Sequence, residues 1–562
     1  MVKKILFTVL MKHAKKLAQE FENASKDVRK TQQNVLLKKI RSHQESDFGK
    51  TYGFKNITDI ASYRKNLPVS DYARFYPYIE RVKKGDLGAL FGKGAKVIMF
   101  ALTSGTTREP KYIPVTHTFL QDYRRGWFVW GHYVYTDYPA IIDKTFFPIT
   151  SAYDEFCTDK GVPCGAISGL SAEKQSCIAK LIYSVPSRVY KVRDVSSKYY
   201  LMMRIAISKD VRSLTTANPS TILTLVKLVA AQKETFVRDI HDGTISDHIQ
   251  ISSELRDSLK KCIRPNKKRA YELERCIAKS GDLLPKDYWP HMALLCNWKG
   301  GALSTYLDSY PHYFGDTPVR DIGLVASEGR MSIPMDNNGA NGVLDIQSQF
   351  FEFIPEEEAS KENPTVLTAD ELIVDKKYFI LLTTSSGLYR YNIHDLVEVT
   401  GFYHEAPIIR FLNKGKHISS MTGEKVTEFQ VVESVRESAH TCGVDIDTFT
   451  FIPCPGERPY YTFVIEEHKI ARDEIAKRLI GEIDKNLKKM NMEYEGKRKS
   501  HRIFNPTVSI VPNGAFDTIK KDHTEKQKGR VEQYKNVFLS SDNEYMKAFD
   551  IIREISYNGG SL

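Results

Sequence analysis

Eight cysteines stand in 562 residues, and no two of them are spaced C-x-x-C. Zinc sites and redox dithiols are built on that spacing, so neither is indicated, nor is a disulfide framework; the expectation is a reducing, cytoplasmic setting. Long apolar runs are missing as well. Only residues 5–11 come close, and Lys12, His13, Lys15 and Lys16 follow at once. That run is too short to cross a bilayer and has no small-residue cleavage site, so neither a membrane partner nor a signal peptide is expected. Repeats, low-complexity tracts and blocks of like charge are absent too. The net charge of +12 comes from 81 Lys/Arg set among 69 Asp/Glu. Even the densest basic run, 485–502, contains Glu493 and Glu495 and few aromatics, which fits a solvated face better than a nucleic-acid groove. An anionic small substrate suits the charge equally well. Gly49-Lys50-Thr51 is no Walker A loop, because Gln44 stands where its first glycine belongs and no apolar strand precedes it.

What is present is an ordinary globular composition, 41% hydrophobic and 27% charged, in a chain too long for one core. Residues 1–45 read as two amphipathic helices, with Leu6, Leu10, Ala14, Leu17 and Phe21 on one face of the first. The stretch 97–116 organises the rest. An apolar strand (97–102) leads into TSGTTREPK (103–111), and an extended pattern resumes at 112–115. Such a loop can aim backbone N–H groups and hydroxyls at one anion, with Gly105 permitting close approach and Arg108 and Lys111 adding charge. An aromatic-rich helix is expected over 118–138, another helix begins at Asn218-Pro219, and 233–290 reads as helical. Strands are expected over 291–297, 319–325, 350–354 and 378–383, which makes residues 90–400 an α/β domain with a substantial sheet. Beyond a Lys/Gly/Ser-bearing junction at 404–426 comes a smaller pattern: strands 448–453, 460–466 and 507–511, a helix over 472–490, and a helical tail.

In order the chain presents TSGTTREPK (103–111), CNWKGGA (296–302), ASE (326–328), FFEFIPEEE (350–358), YRYNIHD (389–395), TGEKVTE (422–428) and EQYK (532–535). This succession resembles the Gretchen Hagen auxin-responsive family, the plant acyl acid amido synthetases and their bacterial relatives. That family lies within the luciferase-like superfamily of acyl-adenylate-forming enzymes. The resemblance covers about residues 30–540. It implies an α/β fold with a large N-terminal adenylation domain (1–414) of mixed, partly barrel-like sheets flanked by helices. A small mobile α+β domain (415–562) would follow as a lid.

The implied reaction joins ATP and a carboxylic acid to an acyl-adenylate and pyrophosphate, then transfers the acyl group to an amino acid amine. Transfer to CoA or another thiol is the alternative. By resemblance Thr103, Ser104, Gly105, Thr106, Thr107 and Lys111 hold the triphosphate, and Gly300 and Gly301 pass flat against the adenine. Ser327 and Glu328 lie beside the α-phosphate, with Glu328 a Mg2+ ligand. Asp395 accepts the ribose hydroxyls. Lys425 and Lys535, the latter from the small domain, reach phosphate and carboxylate. Two departures stand out: the motif ending in Asp395 is longer than the superfamily's Tyr-Arg-x-Gly-Asp form, and Lys414 replaces a hinge-proximal Arg, with Arg410 nearby to compensate. Trp127, Phe128, Trp130 and Tyr133 permit an apolar or aromatic acid, and Arg330 or Arg124 could pair with its carboxylate. The amine, and whether the protein is a monomer or a dimer, stay open.

Overall fold

The computed structural model describes residues 2–103, 111–175, 177–300, 307, 309–359, 361–413, 418–446, 448–470, 472–519, 537–540 and 543–557. The chain divides into two compact units: the larger comprises Met1–Thr103, Tyr112–Gly301 and Leu307–Leu412, and the smaller takes the rest, chiefly from Asn413 onward.

Two helices open the larger unit, α1 (Val2–Ala24) and α2 (Val28–His43), the second capped by Asp27, which accepts the Lys30 N–H. On α1 the apolar stripe is buried at Phe7, Ala14, Ala18 and Phe21, while Lys12, Lys15 and Lys16 face outward. Strands β1 (Val97–Thr103) and β2 (Lys111–Thr116) follow, then α3 (His117–Asp137), started by Thr116 Oγ1 accepting from Phe119 N–H. Next in the chain come β3 (Thr145–Pro148), β4 (Phe156–Cys157), β5 (Pro163–Gly165), β6 (Val211–Thr215), β7 (Leu294–Asn297) and β8 (Val319–Asp321). They build two sheets, ordered β2-β1-β5-β4 and β3-β6-β7-β8, the second parallel throughout. Every residue of β7 is buried, as a parallel strand covered on both faces requires.

A short hairpin, β9 (Val325–Ala326) and β10 (Gly329–Arg330), leads into a third sheet. Its strands are β11 (Ser332–Ile333), β12 (Asn341–Leu344), β13 (Phe350–Pro355), β14 (Leu367–Thr368), β15 (Lys377–Thr383), β16 (Tyr391–Tyr403) and β17 (Ala406–Asn413). They lie in the order β11-β12-β17-β16-β15-β13-β14. The α/β class is as expected from sequence, but none of these sheets closes into a barrel among the described residues.

The smaller unit contains β18 (Ile418–Ser419), β19 (Val426–Thr427), α4 (Glu428–Cys442), β20 (Thr450–Cys454), β21 (Tyr460–Glu466), α5 (Asp473–Met490), β22 (Thr507–Val511) and β23 (Arg553–Ser556). The last four strands form one sheet, and α5 buries Ala476, Leu479, Ile480, Ile483 and Leu487 in the core beside Phe451 and Phe463.

Two expectations need correction. The apolar run 319–325 is not one strand. It breaks at Gly323, whose φ of +86° turns the chain out of the parallel sheet and into the hairpin. Second, the tail after residue 543 holds a 3-10 turn (Glu544–Ala548) and the strand β23 in place of a further α-helix. β16 runs for 13 residues and takes in Tyr391 to Asp395 of the YRYNIHD motif.

Candidate active site

Thr103 ends β1 and is buried; Lys111 opens β2. Ser104, Gly105, Thr106 and Thr107 between them lie outside the described residues, as do Gly301, Lys414 and Lys535. Ser327 and Glu328 are the two-residue tip of the hairpin in which Gly329 pairs with Ala326. Ser327 Oγ donates to Leu102 O at 3.4 Å, which fastens that tip to β1 beside Thr103.

Glu328 is 4% exposed, and Asp395, on β16, is 2% exposed. Both carboxylates act on one phenol. Tyr391 is held well above its ordinary pKa by burial first, then by Glu328, Tyr72 and Asp395. Tyr72 is raised as well, chiefly by burial and in smaller part by Glu328. Its hydroxyl donates to Tyr112 O at 3.1 Å and accepts the Tyr112 N–H at 2.8 Å, so it locks the start of β2 next to Lys111. Glu328 and Asp395, from separate elements, thus meet at the neutral Tyr391 phenol, while Ser327 fastens the Glu328 hairpin to β1 beside Thr103. Nothing in the sequence marked Tyr72; Tyr391 could have been found, because it stands in the motif that ends in Asp395.

Asp321, at the end of β8, was also missed. One carboxylate oxygen accepts the Lys299 N–H at 2.7 Å and the other the Gly323 N–H. Burial pushes this acid up to about 6, and the two N–H donors hold it from going further. Asp321 therefore ties the Trp298-Lys299-Gly300 loop to the turn that aims the Glu328 hairpin. At Gly300 a Cβ would lie 2.9 Å from Trp298 Nε1, so a larger residue there would have to displace the indole. Trp298 also meets the Phe411 ring at 5.0 Å.

Some motif residues turn out to hold the fold together. Glu352, in FFEFIPEEE, is 1% exposed and accepts from Arg390 Nε and Arg64 Nε, each at 2.9 Å. Arg410 pairs with Glu398, with Nε 3.0 Å from Oε2. His394 is exposed at a φ of +61°.

In the smaller unit Glu424 is completely buried. It accepts from Met421 N–H and Thr422 N–H, each at 2.7 Å, and from Tyr461 Oη at 2.6 Å. The turn it organises puts Lys425 at a φ of +49°, with Asn491 Nδ2 donating to the carbonyls of Glu424 (2.9 Å) and Lys425 (3.3 Å).

Among the described residues no group of three or more His, Cys, Asp or Glu side chains could hold a metal ion by itself. A magnesium–nucleotide complex does not need such a cage, since one or two carboxylates and the phosphates suffice, and Glu328 fits that requirement. No described helix is long and apolar enough to cross a membrane.

The fold is that of the adenylate-forming enzymes. A 2-hydroxyisobutyryl-CoA ligase in its thioesterification state superposes with a TM-score of 0.52 at 9% identity, covering 90% of this chain and 89% of that one. Three family models match in succession: the GH3 family N-terminal domain over 17–319, central domain over 342–414 and C-terminal domain over 429–544. The chain belongs to the GH3 family. Among its relatives, a jasmonoyl–L-amino acid synthetase of Nicotiana attenuata is 23% identical over 92% of both chains. An indole-3-acetic acid-amido synthetase of Arabidopsis thaliana is 22% identical over 92% of this chain and 90% of its own. A solved structure of AtGH3.15 acyl acid amido synthetase in complex with 2,4-DB has a TM-score of 0.67 at 19% identity, covering 98% and 97%.

Proposed function

We propose that this protein is an acyl acid amido synthetase: it activates a carboxylic acid with ATP as an acyl-adenylate and passes the acyl group to an amino acid amine. The observation that carries this reading is the meeting of Glu328 and Asp395 at Tyr391 in a chain matched by all three GH3 domains.

The chemical difficulty of activation is to bring one anion against the α-phosphate of another. Fixed N–H and hydroxyl donors of residues 103–107, with Lys111, would hold the phosphates, and Mg2+ at Glu328 would offset the charge that develops. Asp395 would accept from both ribose hydroxyls, a role for a carboxylate that stays ionised. Gly300 and Gly301 would leave the adenine a flat surface beside Trp298. The neutral Tyr72 and Tyr391 phenols would keep water and stray charge from the acid–phosphate contact. In the smaller unit, residues 415–562 would serve as a lid, with Lys535 reaching the reacting groups for adenylation and Lys425 standing on a turn stiffened by Glu424. Action in the cytoplasm is part of the same proposal.

Pyrophosphate release across a panel of carboxylic acids tests the reading, without amine, with pooled amino acids, and with CoA. Acid-dependent release that rises with amino acids and yields an amide by mass spectrometry is expected. Stimulation by CoA alone would move the protein to thioester formation, and no acid-dependent release with any acid would refute activation.

A further inference from the structure

The loop between β11 and β12, residues 334–340, belongs to none of the sequence motifs, yet the half-buried Asn337 in it is bonded through its side chain and its backbone alike. Its Oδ1 accepts from Arg320 Nε, in β8, and its Nδ2 donates to the hydroxyl of Tyr138, which caps the end of α3. Its carbonyl oxygen accepts from Lys299 Nζ at 2.9 Å, in the loop that follows β7. The turn is shaped around it: Asp336 Oδ1 accepts the Asn338 N–H at 2.7 Å, and Gly339 reverses the chain at a φ of +68°.

Arg320 is itself fixed. It is buried, pairs with Asp137 through Nη2, and lies over the Tyr138 ring, 5.9 Å from its centroid. A guanidinium offers only donors, so it takes the amide oxygen of Asn337 and leaves the amide nitrogen for the phenol. The position of Asn337 is therefore set by β8 and α3, and its carbonyl transmits that position to Lys299. Among the described residues this carbonyl is the single acceptor of the Lys299 ammonium, which burial pushes below its ordinary pKa. Lys299 is thus held at both ends, its N–H by Asp321 at 2.7 Å and its Nζ by Asn337. Gly300 comes next in the chain, and the Cβ of Ala340, from the same loop as Asn337, stands 3.6 Å from where a Gly300 Cβ would be.

We propose that Asn337 is a positioning residue for nucleotide binding: by holding Lys299 it sets the backbone of residues 298–300 at the spacing that the base requires. The proposal rests on the reading of the protein as an ATP-using, acid-activating enzyme in which Gly300 lies against the adenine. It makes ATP affinity depend on a side chain that acts through Lys299 and stands outside every adenylation motif.

Calorimetric binding of ATP with Mg2+ to the full chain tests it. Asn337→Leu removes both side-chain bonds at similar volume and should weaken ATP by about 10-fold, the upper end for one lost hydrogen bond. In pyrophosphate release the same variant should raise the KM for ATP and leave the KM for the acid unchanged. Asn337→Asp still accepts from Arg320 and from the Tyr138 hydroxyl, so it should recover most of the loss. Lys299→Met should weaken ATP to a similar degree, and the double variant Asn337→Leu/Lys299→Met should lose no more than either single one, because both break one link. Where Asn337→Leu fails to fold, since Arg320 Nε is then left without its acceptor, Tyr138→Phe loosens the same amide and takes its place. Wild-type ATP affinity in folded variants, or additive losses in the double variant, overturns the proposal while the enzyme reading stands. Failure of the wild type itself to bind ATP overturns the reading, and the proposal with it.

Discussion

His43 illustrates at residue scale what burial does to one titratable group. Its Nδ1 accepts the Gly92 N–H at 3.1 Å, and the Phe91 ring packs edge-on at 5.4 Å. Burial, with Lys39 adding, pushes the imidazole from 6.5 down to about 4. Below pH 6.5 the unfolded chain therefore binds a proton that the folded chain refuses until about pH 4. Stability falls as pH drops through that window, by about 3 kcal/mol in all. His43→Gln should flatten this slope, which urea unfolding at pH 4.5 and pH 7 will show. An equal loss in wild type and variant would place the titration elsewhere. Glu328 and Asp395 were singled out from the order of motifs in the resemblance, which carries no sign that both would stand at one buried phenol. Tyr72 was not, since a single tyrosine at a helix start carries no signal of the strand it will lock.

At the scale of elements the β9–β10 hairpin is the part that most depends on backbone conformation. Gly323 takes a φ of +86°, and a Cβ there would lie 2.3 Å from the Ser332 carbonyl oxygen. Gly443 also has a positive φ, +67°, but with nothing within 4 Å of the added atom. Gly443→Ala should thus cost only the left-handed penalty of about 1–2 kcal/mol. Gly323→Ala should cost clearly more, and because the displaced turn carries Glu328, acid-dependent pyrophosphate release should fall even at temperatures where the variant stays folded. Denaturant unfolding of both variants, with the assay run alongside, checks this. Losses of equal size would show that the backbone contact relaxes freely. The same element shows the limit of pattern reading: a continuous apolar run looks like one strand, and only Asp321, holding Gly323 and Lys299, decides where it breaks.

At the scale of the whole molecule the second unit has its own core and its own sheet; we propose that it acts as a lid that turns on the chain near residue 413. If it delivers Lys535 for the first half-reaction, Lys535→Ala should lower adenylation by about 10²- to 10³-fold, the range for loss of one preorganised charge stabiliser. Amide formation from a supplied acyl-adenylate should be spared. Pyrophosphate release and single-turnover transfer, measured separately, decide the point; equal losses in both would remove the assignment of Lys535 to one step.

The sequence by itself determined the α/β class, the two opening helices, most strand positions, the smaller unit's pattern of two strands, a helix and a strand, and the family. Each of these rests on local periodicity or on the order of short motifs, and both survive in a linear reading. Tertiary structure alone decided that Glu352 serves Arg390 and Arg64, that the buried Arg330 packs against Gly126, and that Asp321 holds both Lys299 and Gly323. Those outcomes depend on which side chains from distant stretches exclude one another from the same few ångströms, and steric exclusion has no signature along the chain.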